Sequence, residues 1–469
     1  MNYYIGIDLG TSSCKGTVVD GEGNVYGSRS VKYDVHYPAP GYSEQDPADW
    51  LSAAETILSE LSRGREDEIK GVSIAGQMHG LVMLDENGGV IREAILWNDG
   101  RSEKQTAYLN SIPETFAETG NTAFPGFTAP KILWVAENEP ENFARCRRIC
   151  LPKDYLAYKL TGVFSTDYSD AAGMLLLDVE HKKWSETMCR ICGITTDMLP
   201  ALYESCEVTG PLKPEYGLKN AVMCAGAGDN AASAVGCGVL SDGDCSISLG
   251  TSGTVFLPCD EFRPGAGKTL HNFCHSTGKY HLMGCILSAA SCDDWWTKRI
   301  LHTDYDKFTL EKAASTGVYF LPYLTGERCP HNDVKARGAF VGLSAETVRE
   351  DMCLALYEGV SYALRDCVGS GGVSVKEAVL CGGGAKSPLW QTVVSNVLGV
   401  DIYVTDTEQF GAAMLAMVGC GEYKTLKECA GKTVKKHLAA SPDPRVHEKY
   451  DKGFEVYKKL YPALKVLTE

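Results

Sequence analysis

Ile7-Asp8-Leu9-Gly10-Thr11-Ser12-Ser13, near the start of the chain, returns past its middle as Ile247-Ser248-Leu249-Gly250-Thr251-Ser252-Gly253. Each copy follows a short apolar stretch and leads into another, Thr17-Val18-Val19 and Thr254-Val255-Phe256, so each reads as the turn of a β-hairpin. Glycine lets the backbone come close to a ligand, and successive N–H groups with Thr and Ser hydroxyls form a nest for phosphate oxygens. Two such loops, one in each half, predict a duplicated nucleotide fold whose halves grip one polyphosphate. The copies differ where charge matters: the first carries Asp8, the second Ser248. That asymmetry predicts a metal on one side only.

The chain has 469 residues, which predicts two domains of roughly 200 residues each. A hydrophobic content of 44% with 22% charged residues is that of an ordinary globular protein. The 45 basic and 60 acidic residues give a net charge of −15, which argues against nucleic acid or an anionic membrane as the main partner. The N-terminal residues lack a basic segment followed by an apolar run, and no run reaches the length of a membrane span, so a cytoplasmic protein is expected. The 19 cysteines are odd in number and scattered, which suits reduced core thiols. Cys189-Arg190-Ile191-Cys192 is a lone pair without zinc-ribbon or thioredoxin-like surroundings and reads as structural.

Strands are expected over Tyr3–Leu9, Gly16–Asp20 and Val25–Val31, and a helix from Pro47 through Leu61, whose Trp50, Leu51, Ala54, Leu58 and Leu61 recur at helical spacing. Lys70–Ala75 reads as a strand that delivers Gly76-Gln77-Met78-His79-Gly80 to its end, where active-site loops gather in α/β sheets. The second half repeats the plan. Strands are expected at Asp244–Leu249, Thr254–Leu257 and Ala378–Leu380, the last running into Cys381-Gly382-Gly383-Gly384-Ala385. Helices are expected near Glu350–Cys367 and over Gly411–Val418, and the lysine-rich tail beyond about residue 430 is expected to be mostly helical. The junction is placed within 236–245, giving domains 1–240 and 241–469.

Gly226-x-Gly228-x-x-Ala231 matches the spacing of a dinucleotide fingerprint but lies mid-chain and presents Asp229 at a helix start. A carboxylate there serves as a simple N-cap or, just ahead of the second phosphate loop, as a base facing a transferred phosphoryl group. Gly265–Thr269 imitates a P-loop, yet Phe262 stands where that motif needs glycine. His79, bracketed by loop glycines at a strand end, is a candidate contact for a polar small molecule. His271 and His275 lack partners at metal-ligand spacing and read as structural.

Together these residues resemble the FGGY family of sugar kinases. Gly126-Phe127-Thr128-Ala129-Pro130-Lys131-Ile132-Leu133-Trp134 looks like the family's N-terminal signature, and Gly338–Leu343 continuing to Tyr357-Glu358 looks like its C-terminal one. Gly76–Gly80, Leu96–Arg101, Leu151–Tyr155, Ser169–Gly173, Gly226–Ala231 and Phe320–Arg328 occur in the family's order and are similar to members acting on D-xylulose. Cys329 departs from the threonine expected in Gly-Glu-Arg-x-Pro.

The resemblance implies an α/β fold of two duplicated actin/hexokinase-like (ribonuclease H-like) ATPase domains with a cleft between them. It implies Asp229 as catalytic base, and Asp8 as a residue important for activity that holds Mg²⁺ through water. Gln77, Met78, His79, Trp97, Asn98, Asp99 and Asn230 would bind the sugar. Gly10, Thr11, Ser12, Lys15, Gly250, Thr251, Ser252, Gly383, Gly384 and Ala385 would bind the nucleotide and its phosphates. ATP and Mg²⁺ are the implied cofactors and D-xylulose the implied acceptor, with no nucleic acid or membrane partner; a homodimer is compatible with this reading. The rivals are another ketose or polyol as acceptor, an actin-like ATP-driven switch, and a dinucleotide enzyme.

Overall fold

The computed structural model describes residues 1–302 and 312–467. Its centre is two seven-stranded mixed sheets. In the first, β1 (Tyr3–Leu9), β2 (Ser13–Asp20) and β3 (Val25–Lys32) form an antiparallel meander. β4 (Ile69–Gly76) and β5 (Val222–Cys224) extend it in parallel on the other side of β1. The second sheet repeats the order with β6 (Asp244–Leu249), β7 (Gly253–Cys259), β8 (Tyr280–Ile286), β9 (Glu377–Cys381) and β10 (Asp401–Val404). Here β6, β7 and β8 are antiparallel neighbours, and β9 and β10 continue in parallel from β6. Both glycine-hydroxyl loops are therefore hairpin turns at the carboxyl end of each sheet's central strand. The duplication read from the sequence is a duplication of topology.

The first predicted helix, α1 (Pro47–Ser62), starts where expected because the Asp46 side chain accepts from the Ala48 N–H at 2.9 Å and Pro47 takes the first turn. Its apolar face, with Trp50, Ala54, Ile57 and Leu58 buried, packs on β2 and β3. The lysine-rich tail is helical over Leu426–Thr433 and Pro444–Lys465, but His437–Ala440 between them pairs with β10 as an edge strand. Half-exposed and short, that segment takes its strand conformation from the ladder it completes, which local pattern does not reveal.

Two helices join the halves. α2 (Asp229–Gly236) runs from the end of the first half, and α5 (Gly411–Gly419), late in the chain, packs on β1 and β4 of the first sheet. Between them in order lie α3 (Arg349–Ser370) and α4 (Pro388–Leu398), which cover the second sheet's side of the molecule. The seam between α2 and α5 is built from small residues, including Ala231, Ala232, Ala412, Ala413 and Ala416. A Cβ on Gly411 would lie 1.8 Å from the Ala232 carbonyl oxygen, so only glycine permits this approach. The seam also holds Phe256, Val379 and Cys381 from the second sheet beside Tyr4 and Ala75 from the first. The cleft thus has a close-packed floor, and α2 presents its first residue to it.

The thiols of all 19 cysteines are free, and most are buried, as expected for core residues. Among the described residues, no helix is long and apolar enough to cross a membrane.

Candidate active site

Two adjoining cavities open between the sheets. The larger, about 520 Å³, is walled by Asp8, Gly10 and Lys15 of the first hairpin, Ser246, Ser248 and Thr254 of the second, and Glu408 with Gly411 from the seam. The smaller, about 130 Å³, is lined on one side by Met78, His79, Trp97 and Phe127 and on the other by Ser252, His271, Met283 and Arg328. Asp229, Asn230 and Thr254 line both. A carboxylate where a large polar cavity meets a small, more apolar one can face two substrates at once.

Asp229 is the first residue of α2; the cap position is Gly228, so the N-cap alternative does not describe it. Its Oδ1 accepts from the Asn230 N–H at 2.7 Å and from Asn230 Nδ2 at 2.9 Å. Part of its surface stays open to the cavities while protein atoms crowd the rest. Burial, then the negative charge of Asp8, push its carboxyl up to about 7; the two Asn230 bonds pull the other way. Asp8, opposite Lys15 in the β1–β2 register, is also raised, first by burial, with Lys15 opposing and Glu408 adding to the shift.

Asp8 and Asp229 offer carboxylate oxygens to the large cavity, both raised first by burial, and among the described residues no group of three or more Asp, Glu, His or Cys forms a ready-made metal cage. This donor set fits Mg²⁺, which binds through one or two carboxylates, keeps several waters and takes substrate phosphates as further ligands.

The small cavity's first wall comes from the loop after β4. The His79 side chain is fixed: Nδ1–H donates to the Gly173 carbonyl at 2.6 Å, and since a carbonyl only accepts, Nε2 carries no proton. Burial, and after it the cations Lys131 and Arg328, hold its pKa down to about 3, so the ring is neutral. It offers the cavity a hydrogen-bond acceptor. Met78 packs beneath Gly228 and accepts a long contact from Asn230 Nδ2 at 3.9 Å. Trp97 donates from Nε1 to Thr11 Oγ1 at 3.0 Å, and Thr11 Oγ1 donates to Gln77 Oε1 at 3.2 Å. This short chain ties the small cavity to the first glycine-hydroxyl loop.

The remaining expected residues line neither cavity, with the exception of Ser252, which lines the smaller one. Gln77 is buried between Thr11 and Gln45, giving Nε2–H to Gln45 Oε1 at 3.0 Å, and stands behind the cavity wall. Asp99 is likewise behind it: Arg101 takes both its oxygens and the Ser43 N–H donates at 2.6 Å, which leaves no lone pair for a ligand facing the cavity. Asn98 is exposed and does not line either cavity. Ser12 and Thr251 are exposed at the hairpin tips, and Gly250 is half-buried. Ser248 pairs with Cys381 across the sheet, and a Cβ on Gly382 (φ 80°) would lie 3.0 Å from the Leu249 carbonyl. The Gly383-Gly384-Ala385 turn therefore abuts the second hairpin loop.

Sequence reasoning missed Thr254, Phe127, Arg328, Glu408 and His271 as wall residues. His271 was read as structural. Strand alternation over His271–Cys274 puts His271 and Phe273 on one face, with rings stacked 5.3 Å apart, but which face meets the cavity is a tertiary fact. Cys329 buries its thiol and donates to the Thr269 carbonyl at 3.0 Å.

Comparison with known proteins points one way. Residues 3–236 match the N-terminal domain model of the FGGY family of carbohydrate kinases, and residues 245–420 match its C-terminal domain model. The chain is 39% identical to the xylulose kinase of Escherichia coli, covering 98% of this chain and 99% of that one. It is 36% identical to the xylulose kinase of Bacillus subtilis, covering 100% and 98%. Among solved structures, a xyloylose kinase from Brucella ovis superposes with a TM-score of 0.93 at 38% identity, covering 99% of this chain and all of that one.

Proposed function

The chain belongs to the FGGY family of carbohydrate kinases, and we propose that it transfers the terminal phosphoryl group of ATP to the 5-hydroxyl of D-xylulose, giving D-xylulose 5-phosphate. The observation that carries the chemistry is the place of Asp229, on the wall common to the polar cavity and the small one. Full-length xylulose kinase relatives support the acceptor.

Asp229 takes the proton of the attacking hydroxyl. A carboxylate with a pKa near 7 is a stronger base than an ordinary aspartate yet still ionised in about half of the molecules at neutral pH. Asn230, which holds Oδ1, leaves Oδ2 to meet the hydroxyl. His79 accepts from another sugar hydroxyl, while Met78, Trp97 and Phe127 pack on the carbon skeleton. Backbone N–H groups of Gly10-Thr11-Ser12 and Gly250-Thr251-Ser252 grip phosphate oxygens from the two domains, with Lys15 beside them, and Gly383-Gly384-Ala385 lies along the nucleotide. Asp8 would hold Mg²⁺ through water, and the ion when bound supplies charge neutralisation on the phosphates. Because each cavity draws walls from both halves, closure of the cleft assembles the site and excludes water.

The test is a coupled ADP assay with D-xylulose, D-ribulose, L-ribulose and glycerol. Selective turnover of D-xylulose is expected. Preference for another acceptor would overturn the substrate, and sugar-independent ATP hydrolysis alone would overturn the kinase reading.

A further inference from the structure

The segment Gly126–Trp134 carries no residue of the mechanism above except Phe127 and Gly126 on the cavity wall, yet it holds a lysine with no exposed surface. Lys131, in the helix Thr128–Asn138, sends Nζ to the His79 carbonyl at 2.9 Å and to the Gly126 carbonyl at 2.7 Å. Thr128 Oγ1 donates to the same His79 carbonyl at 3.0 Å. The buried ammonium has no carboxylate within ion-pair distance among the described residues. Burial lowers the Lys131 pKa to about 7, and in both its charged and its neutral form the amine still has hydrogens to donate to these carbonyls.

What it holds is a backbone in an uncommon conformation. His79 has φ 68°, in the left-handed region that a residue with a side chain seldom occupies. Glycines at 76 and 80 flank it, so nothing in the local sequence keeps it there. The left-handed turn aims the His79 ring between Gly173 and Phe127, edge-on to Phe127 at 4.8 Å, with Nδ1 on the Gly173 carbonyl. If the carbonyl of His79 rotated toward an ordinary conformation, the ring would leave that slot and the acceptor Nε2 would leave the cavity.

We propose that Lys131, with Thr128, is a positioning residue for sugar recognition: the two donors clamp the His79 carbonyl, hold the residue left-handed and so keep the unprotonated Nε2 facing the acceptor. This rests on the small cavity being the sugar site. Lys131 touches neither substrate. Its effect passes through His79, and it belongs to the sugar's binding and not the nucleotide's, because Lys131 lines neither cavity and the clamp lies on the small cavity's side.

The test is a double-mutant cycle read in KM for each substrate. Lys131→Met is expected to raise KM for D-xylulose about tenfold, the loss of roughly one well-placed hydrogen bond, with KM for ATP unchanged. Thr128→Val, nearly isosteric and gentler on folding, is expected to raise it by a few-fold. In a His79→Gly background, where the ring is gone and the left-handed turn costs nothing, neither substitution is expected to raise KM for the sugar further. Full additivity in that background, or equal rises in KM for both substrates, would overturn the inference while leaving the kinase reading in place. A wild-type protein that phosphorylates no sugar would overturn the substrate reading and this inference with it.

Discussion

Asp8 and Asp229 face one cavity from different elements, the end of β1 and the start of α2, and the charge of Asp8 adds to burial in raising the Asp229 carboxyl to about 7. The first residue is fixed by the hairpin, the second by the seam between α2 and α5. Their proximity raises the proton affinity of Asp229 and concentrates negative charge on one wall of the cavity.

Asp229→Asn keeps the shape and the Asn230 contacts but removes the base. Turnover is expected to fall by about 10²–10⁴-fold, with sugar affinity changed by only a few-fold. Parallel measurement of kcat and of sugar binding by calorimetry checks this. Equal loss of both would mark the residue as structural.

Metal-free, the Asp229 carboxyl is expected to titrate near 7 in carbonyl-region NMR and to move down when Mg²⁺ is added. Asp8→Asn should also lower it, because a negative neighbour is removed. The sign for stability follows. A carboxyl raised in the folded state binds more protons there than in the unfolded chain, so it costs stability as pH rises from about 4 through 7. Asp229→Asn is therefore expected to raise Tm at pH 8 and to leave it unchanged near pH 3.5.

His79→Phe preserves ring packing and removes the acceptor. KM for the sugar is expected to rise about tenfold while the acidic limb of the pH–rate profile stays where it is in the unmutated enzyme. With its pKa held near 3, His79 itself contributes no titration above pH 5.

Gly411→Ala places a methyl group against the Ala232 carbonyl in the seam. It is expected to cost about 1–3 kcal/mol of stability and to lower kcat more than it alters KM, because α2 carries Asp229. Thermal unfolding with steady-state kinetics reads both effects.

The paired loops were legible because a glycine-hydroxyl turn between two apolar strands is a local pattern with a local cause, and its return predicted a duplicated topology before any strand order was known. The β4 end loop and the start of α1 at Pro47 were legible for the same reason. Gln77 and Asp99 are expected in the sugar pocket from their loops, but Gln45 and Thr11 take the polar atoms of Gln77, and Ser43 from far along the chain joins the neighbouring Arg101 in taking those of Asp99. His271 and Arg328 were not expected there, since they reach the cavity from the other half of the chain. The sequence alone determined which groups are candidates for chemistry: the carboxylates of Asp8 and Asp229 and two glycine-hydroxyl loops. Only the tertiary structure decided which of them share a wall, because that depends on how closely α2 and α5 approach across glycine and alanine, and on a buried lysine holding His79 in a turn its own sequence does not favour.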